Sequence, residues 1–367
     1  MNETIYMPVG EVCSSISDTY REKKNMVTLI NTSDVLEGRV LNHERVPNSN
    51  LKGQFKKTFQ RDDILYSEIR PQNRRFAYVD FSPIDYIVST KLMVIRAKKD
   101  VVSPKYLYYF LKNSSTVAEL QLLAETRSGT FPQITFSEVA NLTIPVPPLA
   151  VQEVIVQTMQ CLEDKTICNE QINDNLQQQA QAIYSSMFID NPDPAWSHGH
   201  LSDLITVKYG KDHKKLAEGI YPVYGSGGIM RYVERPLYNK ESVLIPRKGT
   251  LNNVMYVNQP FWSVDTMFYT EMKLPNVAKF VYHFVKAKDL ASMNAGSAVP
   301  SMTTDILNAM EVVIPSASAL EEFESLVAPM YEAMEANDVQ SKALSQMRDT
   351  LLPKLMSGEI DVSDIQL

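Results

Sequence analysis

The amino-acid sequence lacks the features of a membrane or secreted protein. It has no run of about 18 consecutive apolar residues, so a membrane-spanning helix is not expected. The stretch from Met1 to Glu11 has no apolar segment typical of a secretion signal. Only three cysteines occur, Cys13, Cys161 and Cys168, which is not the even set of a disulfide framework. These absences predict a cytoplasmic protein, and the length of 367 residues predicts two or three domains.

Motifs of catalysis are also missing. No G-x-x-x-x-G-K-[ST] loop for ATP is present. The N/D-P-P-Y/F loop of an adenine methyltransferase has no better counterpart than N-P-D-P at 191–194, which lacks the adjacent prolines and the aromatic residue. Asp265 with Glu271 and Lys273 loosely matches the D…E-x-K pattern of a metal-dependent nuclease, and H-G-H at 198–200 is a weak metal pattern. The chain is therefore predicted to be non-catalytic, with no metal or cofactor of its own.

The chain has a surplus of acidic residues, with a formal net charge of −7, but its charge is uneven. Residues 52–75 hold seven bases and three acids, and residues 208–215 hold four bases and one acid. Local distribution decides phosphate binding, so two basic surfaces are compatible with an acidic total. Residues 319–340 hold six acids and no base, which is typical of a solvated face or of a docking surface for a basic partner.

A long repeat organises the chain. Residues 128–148 read S-G-T-F-P-Q-I-T-F-S-E-V-A-N-L-T-I-P-V-P-P, and residues 296–315 read G-S-A-V-P-S-M-T-T-D-I-L-N-A-M-E-V-V-I-P. A long helix-forming run follows each motif. The spacing far exceeds the roughly 20–50 residues of a solenoid repeat. The pattern indicates one large unit used twice: a mixed α/β domain, a short strand ending in Pro and a long helix.

Shorter patterns predict the elements inside each domain. Residues 63–70, 76–81 and 86–96 are β-rich runs, and Ser103-Pro104 is typical of a helix start. The second domain has matching runs at 237–250 and 253–257 and a matching helix at 277–285.

Both long helices carry a heptad-like seam with a polar middle. A shift of 168 residues aligns the two seams. The aligned pairs are Ile155 with Phe323, Leu162 with Met330, Asn169 with Asn337, Leu176 with Leu344, and Ile183 with Leu351. A lone helix of this kind cannot bury its seam, so we expect an antiparallel, coiled-coil-like pair with Asn169 near Asn337. That arrangement predicts an α+β fold with two globular domains separated by the helices and related by pseudo-twofold symmetry.

The sequence resembles the specificity subunit of type I restriction–modification systems. The resemblance rests on residues 129–153, on Y-P-V-Y-G-S-G-G-I at 221–229, on I-P-R-K-G-T at 245–250 and on L-L-P-K-L-M-S-G-E-I at 351–360. The second motif departs from the first: A-V-P-S-M replaces F-P-Q-I, and Pro315 stands where the first copy has Pro147-Pro148.

The resemblance implies a domain layout. Two target recognition domains, at 1–148 and 198–316, each read one half of a split DNA site. Spacer helices cover 149–189 and 317–358, with a linker at 190–197 and a tail at 359–367. The spacer helices dock two DNA-methyltransferase (modification) subunits, and restriction/translocase subunits join the full complex. S-adenosylmethionine, ATP and Mg²⁺ are then used by those partners and not by this chain.

Candidate DNA-binding residues are polar or basic and lie in loops or at strand ends. Arginine suits bidentate reading of guanine, whereas lysine mostly contacts phosphate, and glycine loops let backbone N–H groups approach phosphate. In the first domain the candidates are Asn31, Thr32, Ser33, Lys56, Lys57, Arg61, Arg70, Arg74 and Arg75, and in the second they are Lys211, Gly225, Ser226, Gly227, Gly228, Arg247 and Lys248. A solvated basic face is the alternative for the cations, and a plain hairpin turn is the alternative for Gly225–Gly228.

These features predict a sequence-specific DNA-binding subunit that directs adenine methylation and ATP-dependent cleavage by its partners. Two other functions stay open from the sequence. One is a metal-dependent nuclease using Asp265, Glu271 and Lys273, and the other is a coiled-coil scaffold that does not bind DNA.

Overall fold

The computed structural model describes residues 4–49, 53–127, 131–293 and 301–362. The chain forms two compact units, one from residues up to 168 together with those from 339 onward, and one from residues 169–338. Within the described ranges, every helix is either too short or too polar to span a bilayer. Two predicted junctions, at 128–130 and 296–297, lie outside the described residues.

The first unit contains twelve strands and four short helices among its described residues, followed by the first long helix. In chain order these are β1 (Ile5–Pro8), α1 (Val9–Val12), β2 (Cys13–Ile16), β3 (Met26–Ile30), β4 (Val35–Leu36), β5 (Arg39–Val40), β6 (Val46–Pro47), β7 (Phe55–Lys57), β8 (Ile64–Ser67), β9 (Phe76–Tyr78), β10 (Tyr86–Ser89), β11 (Leu92–Ala97), α2 (Pro104–Lys112), α3 (Ser114–Arg127), α4 (Phe136–Asn141), β12 (Thr143–Val146) and α5 (Leu149–Ser185).

The second unit begins within α5 and ends within the second long helix. Its further elements are β13 (Ser197–His200), α6 (Leu201–Leu204), β14 (Ile205–Tyr209), β15 (Tyr221–Gly225), β16 (Gly228–Val233), β17 (Ser242–Pro246), β18 (Met255–Val257), β19 (Trp262–Ser263), β20 (Met267–Met272), α7 (Ala278–Lys286), α8 (Thr304–Asn308), β21 (Glu311–Ile314) and α9 (Ala317–Ser357).

The two units share most of their strand topology. An antiparallel sheet has the order β2-β11-β8-β9 in the first unit and β14-β20-β17-β18 in the second. A further sheet contains one parallel pair, β3 with β10 in the first unit and β15 with β19 in the second. The motif strand pairs with the strand that opens each domain, β12 with β1 and β21 with β13. The prediction of one mixed α/β domain used twice is confirmed.

Sequence patterns predicted some element boundaries and missed others. Helix α2 has Ser103 at its N-cap and Pro104 in its first turn, as predicted. The β-rich run at 86–96 forms two strands, β10 and β11, instead of one continuous strand. Beyond Ser185 the first long helix continues as a π-helical turn, Ser186–Asp190.

The core of each unit joins its domain to both long helices. In the first unit Tyr106 of α2 and Ile155 of α5 are buried in one cluster with Leu355 of α9. In the second unit Phe280 of α7 and Tyr184 of α5 are buried with Phe323 of α9. Burial of such large side chains provides most of the favourable free energy of packing.

The long helices run antiparallel in both units, as predicted. In the second unit Tyr184 lies beside Phe323, with ring centroids 6.2 Å apart, and Asn173 bonds to Asn337. In the first unit Glu163 Oε1 lies 3.8 Å from Arg348 Nη1. Residues near the C-terminal end of α5 therefore contact residues near the N-terminal end of α9, and the reverse holds at the other ends of the two helices.

The predicted seam residues lie on the inward faces of the two helices. Asn169 Nδ2 is 3.4 Å from the Asn337 carbonyl oxygen. All ten residues named for the seam are buried or half-buried, which is the pattern of a packed helix pair: Ile155, Leu162, Asn169, Leu176, Ile183, Phe323, Met330, Asn337, Leu344 and Leu351.

Candidate nucleic-acid interface

In the second unit the candidate residues meet at one end of the sheets. The Lys211 amide donates to the Ser263 carbonyl at 2.8 Å, and the Arg247 amide donates to the Thr266 carbonyl at 2.9 Å. The Val264 amide donates to the carbonyl of Tyr224, the residue before Gly225, at 3.1 Å. The C-terminal ends of β14, β15 and β17 therefore lie next to residues 264–266, the segment between β19 and β20.

The Gly225–Gly228 loop is a tight hairpin turn. Strands β15 and β16 pair up to Gly225 and Gly228, which leaves only Ser226 and Gly227 in the turn. Gly228 has φ +110°, in the region that favours glycine. The hairpin alternative thus describes its conformation, and contact of the same turn with DNA stays a prediction.

A second turn packs directly against this hairpin. The Asn253 side chain donates to the Ser226 carbonyl at 2.8 Å. A Cβ on Gly249, which has φ +84°, would lie 2.6 Å from Ser226 Oγ. The positive φ favours glycine at 249, and the turn after Lys248 lies against the hairpin tip.

The two cations of this turn have different surroundings. The Arg247 guanidinium lies over the Tyr209 ring, 5.3 Å from its centroid, and Nη1 donates to the Asp265 carbonyl at 3.3 Å. Lys248 and Lys211 are exposed. Arg247 is thus oriented by its contacts, whereas the two lysines extend into solvent.

In the first unit the early polar loop forms a 3₁₀ turn, Thr32–Asp34, directly after β3. Asn31 Oδ1 accepts from the Thr32 amide at 2.8 Å, and Asp34 Oδ2 accepts from the Asn31 amide at 2.7 Å. The Asn31 side chain is therefore engaged in capping. Thr32 is half-buried and Ser33 is exposed.

Arg70, Arg74 and Arg75 surround a second 3₁₀ turn, Pro71–Asn73, after β8. Arg70 and Arg74 both have left-handed backbones, with φ of 46° and 51°, which project their side chains from a sharp turn. Arg75 Nη1 donates to the Ser33 carbonyl at 3.0 Å. Arg74 Nη2 donates to Ser114 Oγ at 2.9 Å, and the Arg70 side chain is exposed.

The other basic candidates of the first unit lie apart from this cluster. Lys57 Nζ donates to the carbonyls of Thr90 at 3.2 Å and Leu92 at 2.9 Å, and burial lowers the pKa of its ammonium group. Lys56, its neighbour, is exposed. Arg61 precedes β8, at the opposite end of that strand from Arg70, and is exposed.

The two clusters occupy equivalent positions in the repeated topology. The loop 31–33 follows β3 and the hairpin turn at 226–227 follows β15, where β3 and β15 are the matching members of the parallel pairs. Arg70–Arg75 follow β8, and Arg247-Lys248 follow β17, the matching strands of the antiparallel sheets. The sequence did not reveal this equivalence, because residues 31–45 between β3 and β6 replace the two-residue turn of the second unit.

Each domain is also bonded to its helices through residues that sequence patterns did not single out. In the first unit Tyr109 of α2 donates to Glu163 Oε2 at 3.0 Å, and Glu163 is paired with Lys112. In the second unit His283 of α7 lies between Gln181 Oε1, 2.7 Å from Nδ1, and the Tyr331 hydroxyl, 3.0 Å from Nε2. Aligning K-Y-L-Y-Y at 105–109 with K-F-V-Y-H at 279–283 would have found both positions.

The residues of the nuclease alternative do not form one site. Asp265 precedes β20 and Glu271 lies near its end, and six residues of strand span about 17 Å. Glu271 faces Lys208, at 3.7 Å, while Lys273 Nζ donates to the Ser202 carbonyl at 2.6 Å. Among the residues that the structure describes, no group of three or more His, Cys, Asp or Glu side chains is placed to hold a metal ion.

Comparison with known families agrees with this repeated architecture. The family model described as type I restriction modification DNA specificity domain matches residues 5–178 and 195–323. These segments include most of the sequence, and the chain belongs to this family. The role of the family is DNA specificity, which is a non-catalytic role in type I restriction–modification.

Individual relatives extend over most of the chain. It is 27% identical over 445 residues to the type I restriction enzyme HindI specificity subunit of Haemophilus influenzae, with 91% of this chain and 94% of the relative covered. It is 24% identical over 312 residues to the MjaIX specificity subunit of Methanocaldococcus jannaschii, with 73% and 71% covered.

Solved structures share the fold at lower identity. The S subunit of a type I restriction–modification system from M. genitalium has a TM-score of 0.55 and 18% identity, covering 97% of this chain and 96% of its own. A chain from a structural study of complex assembly and conformational transition in the type I R-M system has a TM-score of 0.52 and 14% identity, covering 97% and 98%.

Proposed function

We propose that this chain reads a bipartite DNA site, with one half-site bound by each unit, and directs adenine methylation and ATP-dependent cleavage by partner subunits. The observation that carries the proposal is the repeated topology. It brings polar and basic candidates to matching strand ends in both units, after β3 and β8 in one and after β15 and β17 in the other. Such turns suit contacts to phosphates and base edges.

The catalytic steps belong to partners in this proposal. Two modification subunits dock on the complex and use S-adenosylmethionine, and restriction/translocase subunits use ATP and Mg²⁺. An adenine must leave the base stack before methylation, so the recognition domains hold DNA in a form that permits base flipping. The complex acts in the cytoplasm, in keeping with three cysteines that form no disulfide.

The first test is sequencing of methylated adenines in cells that express this chain with its modification subunit. We expect one bipartite motif with a fixed gap, absent when either protein is omitted. The purified chain alone should transfer no methyl groups. Methyl transfer by the chain alone, or methylation without a bipartite motif, would contradict the proposal.

The second test separates phosphate contacts from other effects. Lys248→Ala should weaken DNA binding by the complex about equally for all sequences and reduce the slope of log affinity against log salt by about 1. Arg70→Ala should weaken DNA binding through the first unit, and both side chains are exposed, so folding should not suffer.

Lys240→Ala is the matched control for these two variants. Lys240 is also exposed, but it precedes β17, whereas Lys248 follows that strand at its other end. Its removal should leave the slope unchanged. An equal loss of slope in the control would show that the effect comes from net charge and not from the proposed contacts.

A further inference from the structure

Strand β16 exposes apolar side chains at the tip of the second unit's hairpin. Ile229 is 48% exposed and Met230 is 61% exposed, although alternation along a strand would direct neighbours to opposite faces. The strand is also at the edge of its sheet, in the order β16-β15-β19. Exposed apolar side chains on an edge strand are unfavourable in water unless they have a binding partner.

A β-bulge sets the direction of these side chains. Val223 pairs with Arg231 and Tyr224 pairs with Ile229, which leaves Met230 as the extra residue on β16. Bulges redirect side chains and often lie beside functional sites. The bulge here places Ile229 and Met230 together next to the turn at Ser226-Gly227.

The hairpin tip is narrow and shaped around Met230. A Cβ on Gly225 would lie 2.5 Å from Met230 Sδ, so glycine at this position lets the methionine cross over the strand. Three of the four residues from Gly225 to Gly228 are glycines, and a Cβ at Gly227 or Gly228 would meet no atom within 4 Å. The tip is therefore slender, with open space around it.

Cations flank this apolar tip on two sides. Arg231 Nη2 donates to the Leu216 carbonyl at 3.0 Å, which ties the hairpin to the basic loop that carries Lys214 and Lys215. On the other side the turn after Lys248 packs against Ser226 through Gly249. Lys214, Lys215 and Lys248 are exposed. An apolar tip between cations is complementary to DNA bases lying between phosphates.

We propose that the β15–β16 hairpin enters the major groove of the half-site bound by the second unit, where Ile229 and Met230 contact thymine methyl groups. The major groove admits a two-stranded β-ribbon, and the thymine methyl is its apolar feature. This inference rests on the proposed function and adds the element and the base chemistry that determine one half-site. The flanking cations favour DNA over a protein partner as the occupant.

The test uses the full chain in complex with its modification subunit. Ile229→Ser and Met230→Ser should each relax the methylated motif at one or two base pairs of a single half-site, with the other half-site unchanged. Affinity for the wild-type site should fall about tenfold, in the range of one lost base contact, while the salt slope is retained. Leu274→Ser is the matched control, because Leu274 is 38% exposed and follows β20, at the end of that strand away from the hairpin tip.

A second measurement needs no variant. Thymine is replaced by uracil in the half-site that Ile229→Ser relaxes. If that variant fails to fold, each half-site is tested in turn. The replacement should weaken binding by the wild-type complex about as much as the amino-acid substitution does. Gly225→Ala should displace Met230 and change the same half-site. An unaltered motif in the folded variants, or equal affinity of the wild type for thymine and uracil duplexes, would overturn the proposal.

These outcomes can be distinguished from failure of the proposed function. If the wild-type complex gives no bipartite motif, the function itself is wrong. If the motif is bipartite but insensitive to positions 229 and 230 and to uracil, only the hairpin assignment is wrong.

Discussion

His283 of α7 is a buried titratable residue in the second unit. It has no exposed surface and is stacked on Tyr184 of α5, with ring centroids 5.7 Å apart. Burial lowers the pKa of its imidazole to about 4. The neutral ring donates from Nδ1 to Gln181 Oε1 and accepts at Nε2 from the Tyr331 hydroxyl, so protonation would force the Tyr331 hydrogen bond to reverse its direction.

The lowered pKa predicts a loss of stability in acid. The unfolded chain, with an imidazole pKa near 6.5, binds a proton that the folded chain does not bind between about pH 6.5 and pH 4. The free energy of unfolding should therefore fall by about 2 kcal/mol from pH 7 to pH 5 through this group. His283→Gln should flatten this part of the pH dependence. Urea unfolding followed by tryptophan fluorescence checks it, since Trp196 and Trp262 both lie in the second unit.

The control is His198→Gln, because His198 is exposed on β13. That substitution should leave the pH dependence unchanged. If His283→Gln retains the wild-type slope between pH 7 and pH 5, protonation of His283 does not limit stability.

The sequence identified candidate residues of the site but did not predict the contacts that their side chains make. The sequence shows that Lys57 is a cation, but not that two carbonyls from the β10–β11 turn hold it. It shows Asn31 in a polar loop, but not that its oxygen is occupied as a helix cap. Both facts depend on contacts or backbone angles that composition does not encode. Lys248 and Ser33 match the expectation of exposed polar groups more closely.

At the scale of elements, the long helices were the most predictable part of the chain. Their heptad-like seam places the first helix within a few residues of α5, Leu149–Ser185, and the second within a few residues of α9, Ala317–Ser357. Helical periodicity repeats many times over such lengths, so local exceptions do not hide it. The short strands were harder, since four residues carry too little pattern to reveal the turn between β10 and β11.

The polar middle of the helix pair should contribute a measurable coupling energy. Asn337 Nδ2 donates to Asn173 Oδ1 at 2.9 Å, and Asn173 Nδ2 donates to Asp338 Oδ1 at 2.8 Å. A double-mutant cycle with Asn173→Ala and Asn337→Ala should give a coupling of about 1 kcal/mol, the usual net value of a hydrogen bond. Urea unfolding of the four proteins measures it.

The matched control pairs Asn173→Ala with Glu332→Ala. Glu332 is exposed and lies on α9, the helix that also contains Asn337. These two substitutions should be additive within about 0.5 kcal/mol. Additivity of the Asn173 and Asn337 pair as well would contradict a specific contact at the polar middle.

For the whole molecule, the repeat was visible in sequence but its strand order was not. The motifs at 128–148 and 296–315 indicated a unit used twice. The orders β2-β11-β8-β9 and β14-β20-β17-β18 join strands that are far apart in sequence, and no local pattern specifies such pairing. The equivalent positions of the candidate DNA-binding residues in the two units can be recognised only when the strand order is known.

The first unit includes the C-terminal part of α9, so a substitution there should destabilise the first unit and not the second. Leu355 of α9 is 2% exposed and packs in the core of the first unit. Leu355→Ala should destabilise that unit by about 2–5 kcal/mol, the usual cost of a buried Leu→Ala change. Hydrogen exchange should rise in β8 and β11 and stay unchanged in β17 and β20.

Met347→Ala is the control on the same stretch of α9, because Met347 is 49% exposed. It should leave exchange near wild type in both units. Faster exchange in β17 and β20 of the Leu355→Ala protein would show that the second unit also depends on this end of α9.

The division of the first unit between two distant chain segments has a consequence for biosynthesis. Met159 of α5 is packed in one cluster with Leu352 of α9, and the entire second unit is translated between them. At about 5–20 residues per second, the ribosome needs roughly 10 to 40 seconds to make that interval. During this time the nascent chain contains the first part of the first unit, and α5 there lacks its contacts with the last part of α9. A chaperone that shields apolar helix faces would therefore bind longest at the first half of α5, before the last segment emerges.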